Sequence, residues 1–169
     1  HHGQGATNTV ETPAGTIPAP TLEFNRIYIL LHIYRHLFQE GIGLRQMLDY
    51  YFVLDKGFTA EERNRTVETL RSIGLLDFAA AAMHVLKERF GLEEEKLLTP
   101  PDARRGEFLL KEIMTAGNFG KYDSRYMKQR NTASKLFNNT RRLFTLILYY
   151  PREASCIPYF KLWHYFWLK

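Results

Sequence analysis

Three side chains that could bind an ion or carry a proton recur at intervals of four: His32, His36 and Glu40. On a helix this spacing places all three on one face, because residues four apart lie nearly above one another. A His-x3-His pair is a general ligand pattern for a divalent metal, with Glu40 as a third donor. No Glu follows the first His as a zinc-protease helix requires. The preferred reading is therefore of histidines hydrogen-bonded within a helical bundle, next a ligand-contacting role, and no metal site is assigned.

Arg35 lies between the histidines, and Arg45 and Asp49 stand four apart a few residues on. Arg45 and Asp49 at that spacing on a helix can pair. With Arg35 they make an internal ion-pair network joining two helices, or else Arg35, His36 and Arg45 form the edge of a pocket for an anion. A guanidinium offers phosphate a planar fork, and histidine changes charge near neutral pH. A second basic group, Lys121, Arg125, Lys128, Arg130, Lys135, Arg141 and Arg142, falls in a stretch with a single acid, Asp123, and with Phe119, Tyr122 and Tyr126 interleaved. That composition suits a phosphate backbone with stacked bases, a triphosphate, or an exposed face of a helix.

The absences matter as much. The chain has no Walker A sequence and no GxGxxG. Gly117-Asn118-Phe119-Gly120-Lys121 lacks both the spacing and the Ser or Thr of a phosphate cradle. Its five aspartates, Asp49, Asp55, Asp77, Asp102 and Asp123, contain no Asp-x-Asp pair of the sort that converges on Mg²⁺. A lone Cys156 excludes an intramolecular disulfide and a cysteine zinc site, and points to a reducing compartment. Catalysis by these residues alone is not expected.

The elements that must position these groups are helical. Residues 1–21 hold three Gly, three Pro and five Thr with only Val10 and Ile17 as large aliphatics, and read as an extended arm. From residue 22 to residue 169 apolar spacing of three and four predicts one all-α domain, an irregular bundle of six or seven helices. In the first, 23–40, Phe24, Ile27, Tyr28, Leu31, Tyr34 and Phe38 form the inward stripe, widened by Ile29, Leu30, Ile33 and Leu37 until little surface is left. A second helix, 44–56, turns Leu44, Met47, Leu48 and Tyr51 inward. Thr59-Ala60-Glu61-Glu62 is a capping box that opens a third, to about Ser72. Asp77 is expected to cap a fourth, 78–90, and Thr99-Pro100-Pro101 breaks the chain before a fifth, 104–116. A sixth ends at Tyr150, and an aromatic segment, 159–168, carries Phe160, Trp163 and Trp167. No stretch alternates with period two, so no sheet is expected.

The net charge of +5, from 23 Lys and Arg against 18 Asp and Glu, permits anionic partners without requiring them. Apolar runs are broken by Arg26, Arg35 and Lys161 before they reach the length of a membrane span, and no secretory signal is visible. The expectation is a cytoplasmic protein with no membrane association.

Leu31 to Tyr51, LHIYRHLFQEGIGLRQMLDYY, resembles the C-terminal helical half of the uncharacterised bacterial nucleotidyltransferase family, in the version common among gut Bacteroidetes. There a His-rich helix leads into a Leu-Arg-x-x-Leu-Asp helix, matched by Leu44, Arg45, Leu48 and Asp49. FAAAAMHVLKERFGL, the Gly117–Asp123 loop and the terminal LWHYFW are also similar, so the resemblance runs from about Phe24 to the C-terminus. It implies an upstream α/β catalytic half with a Gly-rich turn and paired aspartates, using Mg²⁺ and a nucleoside triphosphate. No cofactor is assigned to this chain by itself. The start at His1-His2 is read as a cut within a longer protein. His32, Arg35, His36, Arg45 and Asp49 match polar positions of the family motif, and the resemblance makes them cleft-facing residues, not catalysts. The alternatives are a nucleic-acid-binding module working through Lys121–Arg142 and a protein-interaction domain docking its aromatic C-terminus.

Overall fold

The structure, a computed structural model, describes residues 7–39, 41–116 and 144–151. They fall in two compact units, residues 1–119 and 120–169. The first begins with a β-hairpin, β1 (Thr7–Thr12) and β2 (Gly15–Pro20), and continues with α1 (Leu22–Gln39), α2 (Leu44–Asp55), α3 (Ala60–Ser72), α4 (Leu76–Phe90), a 3-10 turn (Glu94–Lys96) and α5 (Ala103–Ala116). In the second unit residues 144–149 are helical, as expected of the end of the sixth helix. The rest of that helix and the aromatic segment 159–168 lie outside the described residues.

The helical class is as the periodicity predicts, but the arm is not merely extended. Its two halves pair antiparallel, with Val10 opposite Ile17 and Thr12 opposite Gly15. The cause is turn chemistry rather than alternation. Pro13 fixes its own φ, Gly15 takes a φ of 121° that other residues avoid, and the Thr12 hydroxyl donates to the Gly15 carbonyl at 2.7 Å. Thr, Val and Ile then supply strand propensity while nearly every side chain stays exposed.

The helix boundaries follow local signals. Thr59 accepts from the Glu62 amide at 3.2 Å and the Glu62 carboxylate accepts from the Thr59 amide at 3.1 Å, so the capping box forms as read. α4 ends on Gly91 at φ 70°, where the Leu92 amide reaches back to the Leu86 carbonyl. Asp77 does not cap α4. The helix starts two residues earlier than expected, at Leu76, and the Asp77 carboxylate instead accepts from Arg105 on α5. The acid that does cap is Asp102, whose Oδ1 accepts from the Arg105 amide at 3.0 Å at the start of α5.

α4 is the central helix. It packs on α2, α3 and α5, and Tyr34 of α1 meets its Phe78 edge to face. Ala79, Ala81 and Ala82 are buried there, and their small side chains allow neighbouring helices to approach closely. α1 instead packs on α2 and α3 with only one stripe: Arg26, Leu30, Ile33 and Leu37 are at most 1% exposed. This overturns the expected orientation. Phe24, Tyr28 and Leu31 point outward, and so do Leu44 and Leu48 of α2, whose buried face is Gln46, Met47, Tyr50 and Leu54. A charge at the head of the buried stripe hides its phase in the sequence, since two opposite faces of α1 are comparably apolar.

Arg26 tolerates burial because its guanidinium is used. Nη2 donates to the Gly57 carbonyl at 2.7 Å, Nη1 approaches Glu62 Oε2 at 3.4 Å, and the group lies 5.1 Å from the centre of the Phe58 ring. One side chain thereby ties α1 to the turn before α3 and to the α3 cap. No described helix is long and apolar enough to cross a membrane.

Candidate ligand-contacting face of the first two helices

α1 brings His32 and His36 together. Their Nε2 atoms are 3.0 Å apart, with the rings edge to face at a centroid distance of 4.4 Å and an interplanar angle of 82°. The ladder continues one turn at a time toward the N-terminus. Tyr28 stacks on His32 at 6.2 Å, and Phe24 stacks on Tyr28 at 5.5 Å. These four rings occupy successive i, i+4 positions, so the helix itself holds them in a column. His32 is exposed, not enclosed in the bundle, and His36 is half-buried. Glu40 lies outside the described residues.

Arg35 also stands on the exposed part of α1. Arg45 and Asp49 sit on the outward face of α2, interleaved with Leu44, Leu48 and Phe52. Neither Arg45 nor Asp49 makes an ion pair or hydrogen bond among the described residues. The four matched positions of the Leu-Arg-x-x-Leu-Asp pattern thus all face away from the core. The basic group Lys121, Arg125, Lys128, Arg130, Lys135, Arg141 and Arg142 lies outside the described residues.

Several other carboxylates are engaged in structural pairs. Glu23 takes a two-point contact from Arg65, at 2.9 and 3.1 Å, which joins α1 to α3. That hydrogen bond holds the Glu23 carboxyl below its ordinary range against the opposing effect of partial burial, with the charges of Arg65 and Arg26 adding to it. Asp55 and Glu93 both grip Lys96 at 2.9 Å and push its ammonium above the usual lysine range. Lys87 pairs with Glu94, Arg71 with Glu68, and Glu107 lies near both His84 and Arg89. Burial raises the Asp102 carboxyl, but the Arg105 amide and guanidinium outweigh it and hold the group low.

Among the described residues no group of three or more His, Cys, Asp and Glu gathers to hold an ion. The carboxylate set that Mg²⁺ needs for phosphoryl chemistry is therefore not formed by these residues, and no step of such chemistry is assigned to them. The side chains the sequence missed are Arg26 and Tyr50. Burial raises the Tyr50 phenol far above its ordinary value, with the positive charge of Arg26 opposing the shift. Nothing in local spacing marks either as interior.

No curated protein and no solved structure matches the chain. A family model does, described as an uncharacterised nucleotidyltransferase, over residues 4–91, which is 88 of the 169 residues. The match takes in the hairpin and α1–α4, whereas the motif resemblance begins at Phe24 and runs on past Gly91. It includes the aromatic column and the outward Leu44-Arg45-x-x-Leu48-Asp49 face. By that match the chain belongs to the uncharacterised nucleotidyltransferase family.

Proposed function

We propose that this chain is the helical accessory part of a nucleotidyltransferase and that its α1–α2 surface meets the nucleotide or the acceptor. The family match over residues 4–91 carries the reading. The reaction of such an enzyme joins an acceptor oxygen to the α-phosphorus of a nucleoside triphosphate and releases pyrophosphate. The aspartates and Mg²⁺ for that step would come from a catalytic half outside these 169 residues, because the described acids are engaged in pairs with Arg, Lys and His or stand singly.

Two further observations support an accessory role. Large apolar side chains face outward on both helices, Phe24, Tyr28 and Leu31 on α1 and Leu44, Leu48 and Phe52 on α2. Exposed apolar groups rimmed by polar ones mark surfaces that meet something else. The polar groups interleaved with them, His32, Arg35, His36, Arg45 and Asp49, are of the types that bind phosphate and ribose, and Arg45 has no competing partner among the described residues.

The test is to read the coding DNA upstream of the His1 codon and express any longer product. An open frame encoding a Gly-Ser turn and an Asp-x-Asp strand is expected. The longer protein should release pyrophosphate from at least one nucleoside triphosphate with Mg²⁺. Arg45→Ala should then lower that rate at least tenfold while leaving the thermal midpoint within a degree or so. A frame that opens at His1, or a longer product in which Arg45→Ala keeps full activity, would overturn the proposal.

A further inference from the structure

His32 and His36 are arranged as a two-toothed chelate. We infer that this pair binds a divalent transition-metal ion directly, with Cu²⁺ and Ni²⁺ preferred over Zn²⁺. The inference is independent of the nucleotide reading.

The geometry is the first reason. A metal–imidazole bond is about 2.0–2.1 Å long, so two donors 3.0 Å apart subtend an angle of about 94° at the ion. That is the angle between adjacent ligands in square-planar or octahedral coordination, which Cu²⁺ and Ni²⁺ favour. Tetrahedral Zn²⁺ needs the donors about 3.3–3.4 Å apart and would have to spread them. The intrinsic order of divalent affinities also places Cu²⁺ first.

Preorganisation is the second reason. The His32 ring is already stacked on Tyr28, and Tyr28 on Phe24, so the column restricts the rotation that an unsupported surface histidine would lose on binding. In the metal-free pair one Nε2 donates its proton to the other. With His32 as the donor, its exposed ring moves that proton to its own Nδ1 through solvent, and both Nε2 lone pairs are then open to the ion. Neither ring changes charge in that step. Two protein donors leave the remaining coordination positions to water or to an external oxygen or nitrogen ligand.

The experiment uses the full chain with His1 and His2 both replaced by Ala, because a terminal histidine pair would itself hold metal. NiCl2 and CuCl2 are titrated without nucleotide, by calorimetry and by thermal melting. One ion per chain with a micromolar dissociation constant is expected, together with a rise in the melting midpoint as the metal clamps successive turns of α1. The Cu²⁺ electron paramagnetic resonance spectrum should carry the splitting of two imidazole nitrogens. His32→Gln should weaken binding at least tenfold with the helical circular dichroism unchanged, since His32 is exposed. His36→Gln should do the same. Binding that is absent in the His1/His2 variant, or that survives His32→Gln at full strength, would overturn the assignment. So would a single-nitrogen spectrum.

Discussion

A β-carbon on Gly106 would lie 2.3 Å from Cδ2 of His84 and 2.5 Å from its Cβ, so α5 crosses α4 at a glycine-to-histidine contact. The Asp102 amide bonds to the Ala80 carbonyl at 3.0 Å, and His84 reaches Glu107 at 3.1 Å. These contacts fix α5 against the alanine-lined side of α4.

Gly106→Ala tests that contact. In an open helix the change would stabilise by about 0.8–1 kcal/mol through helix propensity. Here the added methyl meets the root of a side chain, which cannot swing aside, and overpacking costs roughly 1–3 kcal/mol. The clash should win, lowering the melting midpoint by a few degrees. In a His84→Gly background, which removes the Cβ as well as the ring, the same substitution should be neutral or stabilising relative to that background. A midpoint that rises in both backgrounds would show that the helices are not in contact there.

Tyr50→Phe should not weaken the protein. The Tyr50 hydroxyl is buried and has no hydrogen-bond partner among the described residues. Desolvating an unmade hydrogen bond costs about 1–3 kcal/mol in protein series. Removing the oxygen should therefore leave the midpoint unchanged or raise it by a few degrees. A fall of several degrees in a thermal melt would mean that the hydroxyl is bonded.

How far the sequence carries the fold depends on what kind of signal each element uses. Local chemistry is legible. The Thr59 capping box, the Gly91 stop and the Pro-Pro break before α5 all appear where their residue types require. Facing is less so. α1 has apolar residues all around, and the real inward stripe begins with Arg26, a residue whose burial is decided by the Gly57 carbonyl and Glu62, which lie more than thirty positions away. Long-range pairing of that kind leaves no periodic trace. The same limit explains why Asp77 looked like a cap although Arg105 recruits it. Of the candidate site, the spacing gave the shared face of His32 and His36. The stacking of Phe24 and Tyr28 beneath them was masked by the reversed facing.

Asp102 should govern part of the acid limb of stability. Its carboxyl is held below the ordinary value of 3.8 in the folded chain. A depressed carboxyl stabilises the fold fully above its unfolded pKa, and that contribution is lost as pH falls through the folded value. The loss therefore begins near pH 4 and continues below it, with Glu23 adding to the same limb from 4.5 downward. Asp102→Asn keeps a side-chain oxygen for the Arg105 amide but removes the charge facing the guanidinium at 2.7 Å. The variant should melt lower than the parent at pH 7, and the gap should narrow progressively as the pH falls below 3.8. Parallel melting curves across that range would sink the assignment.

Glu62 serves two structures at once, and substitutions can separate them. Its carboxylate completes the Thr59 capping box and is also the acid nearest to buried Arg26. Glu62→Gln keeps an oxygen for the Thr59 amide and loses only the charge. Because Glu62 is about a third exposed, solvent screening limits that loss to roughly 0.2–1 kcal/mol. Glu62→Ala loses the box as well, adding about 1 kcal/mol. Arg26→Met should cost at least as much as Glu62→Ala, since it leaves the Gly57 carbonyl without its 2.7 Å donor, a deficit of about 1–3 kcal/mol. Urea denaturation of the three variants should rank them Gln mildest, then Ala, then Met at position 26. If Glu62→Gln proves as damaging as Glu62→Ala, the ion pair and not the cap is what Glu62 supplies. If Arg26→Met is neutral, the guanidinium is not needed to hold α1 on α3.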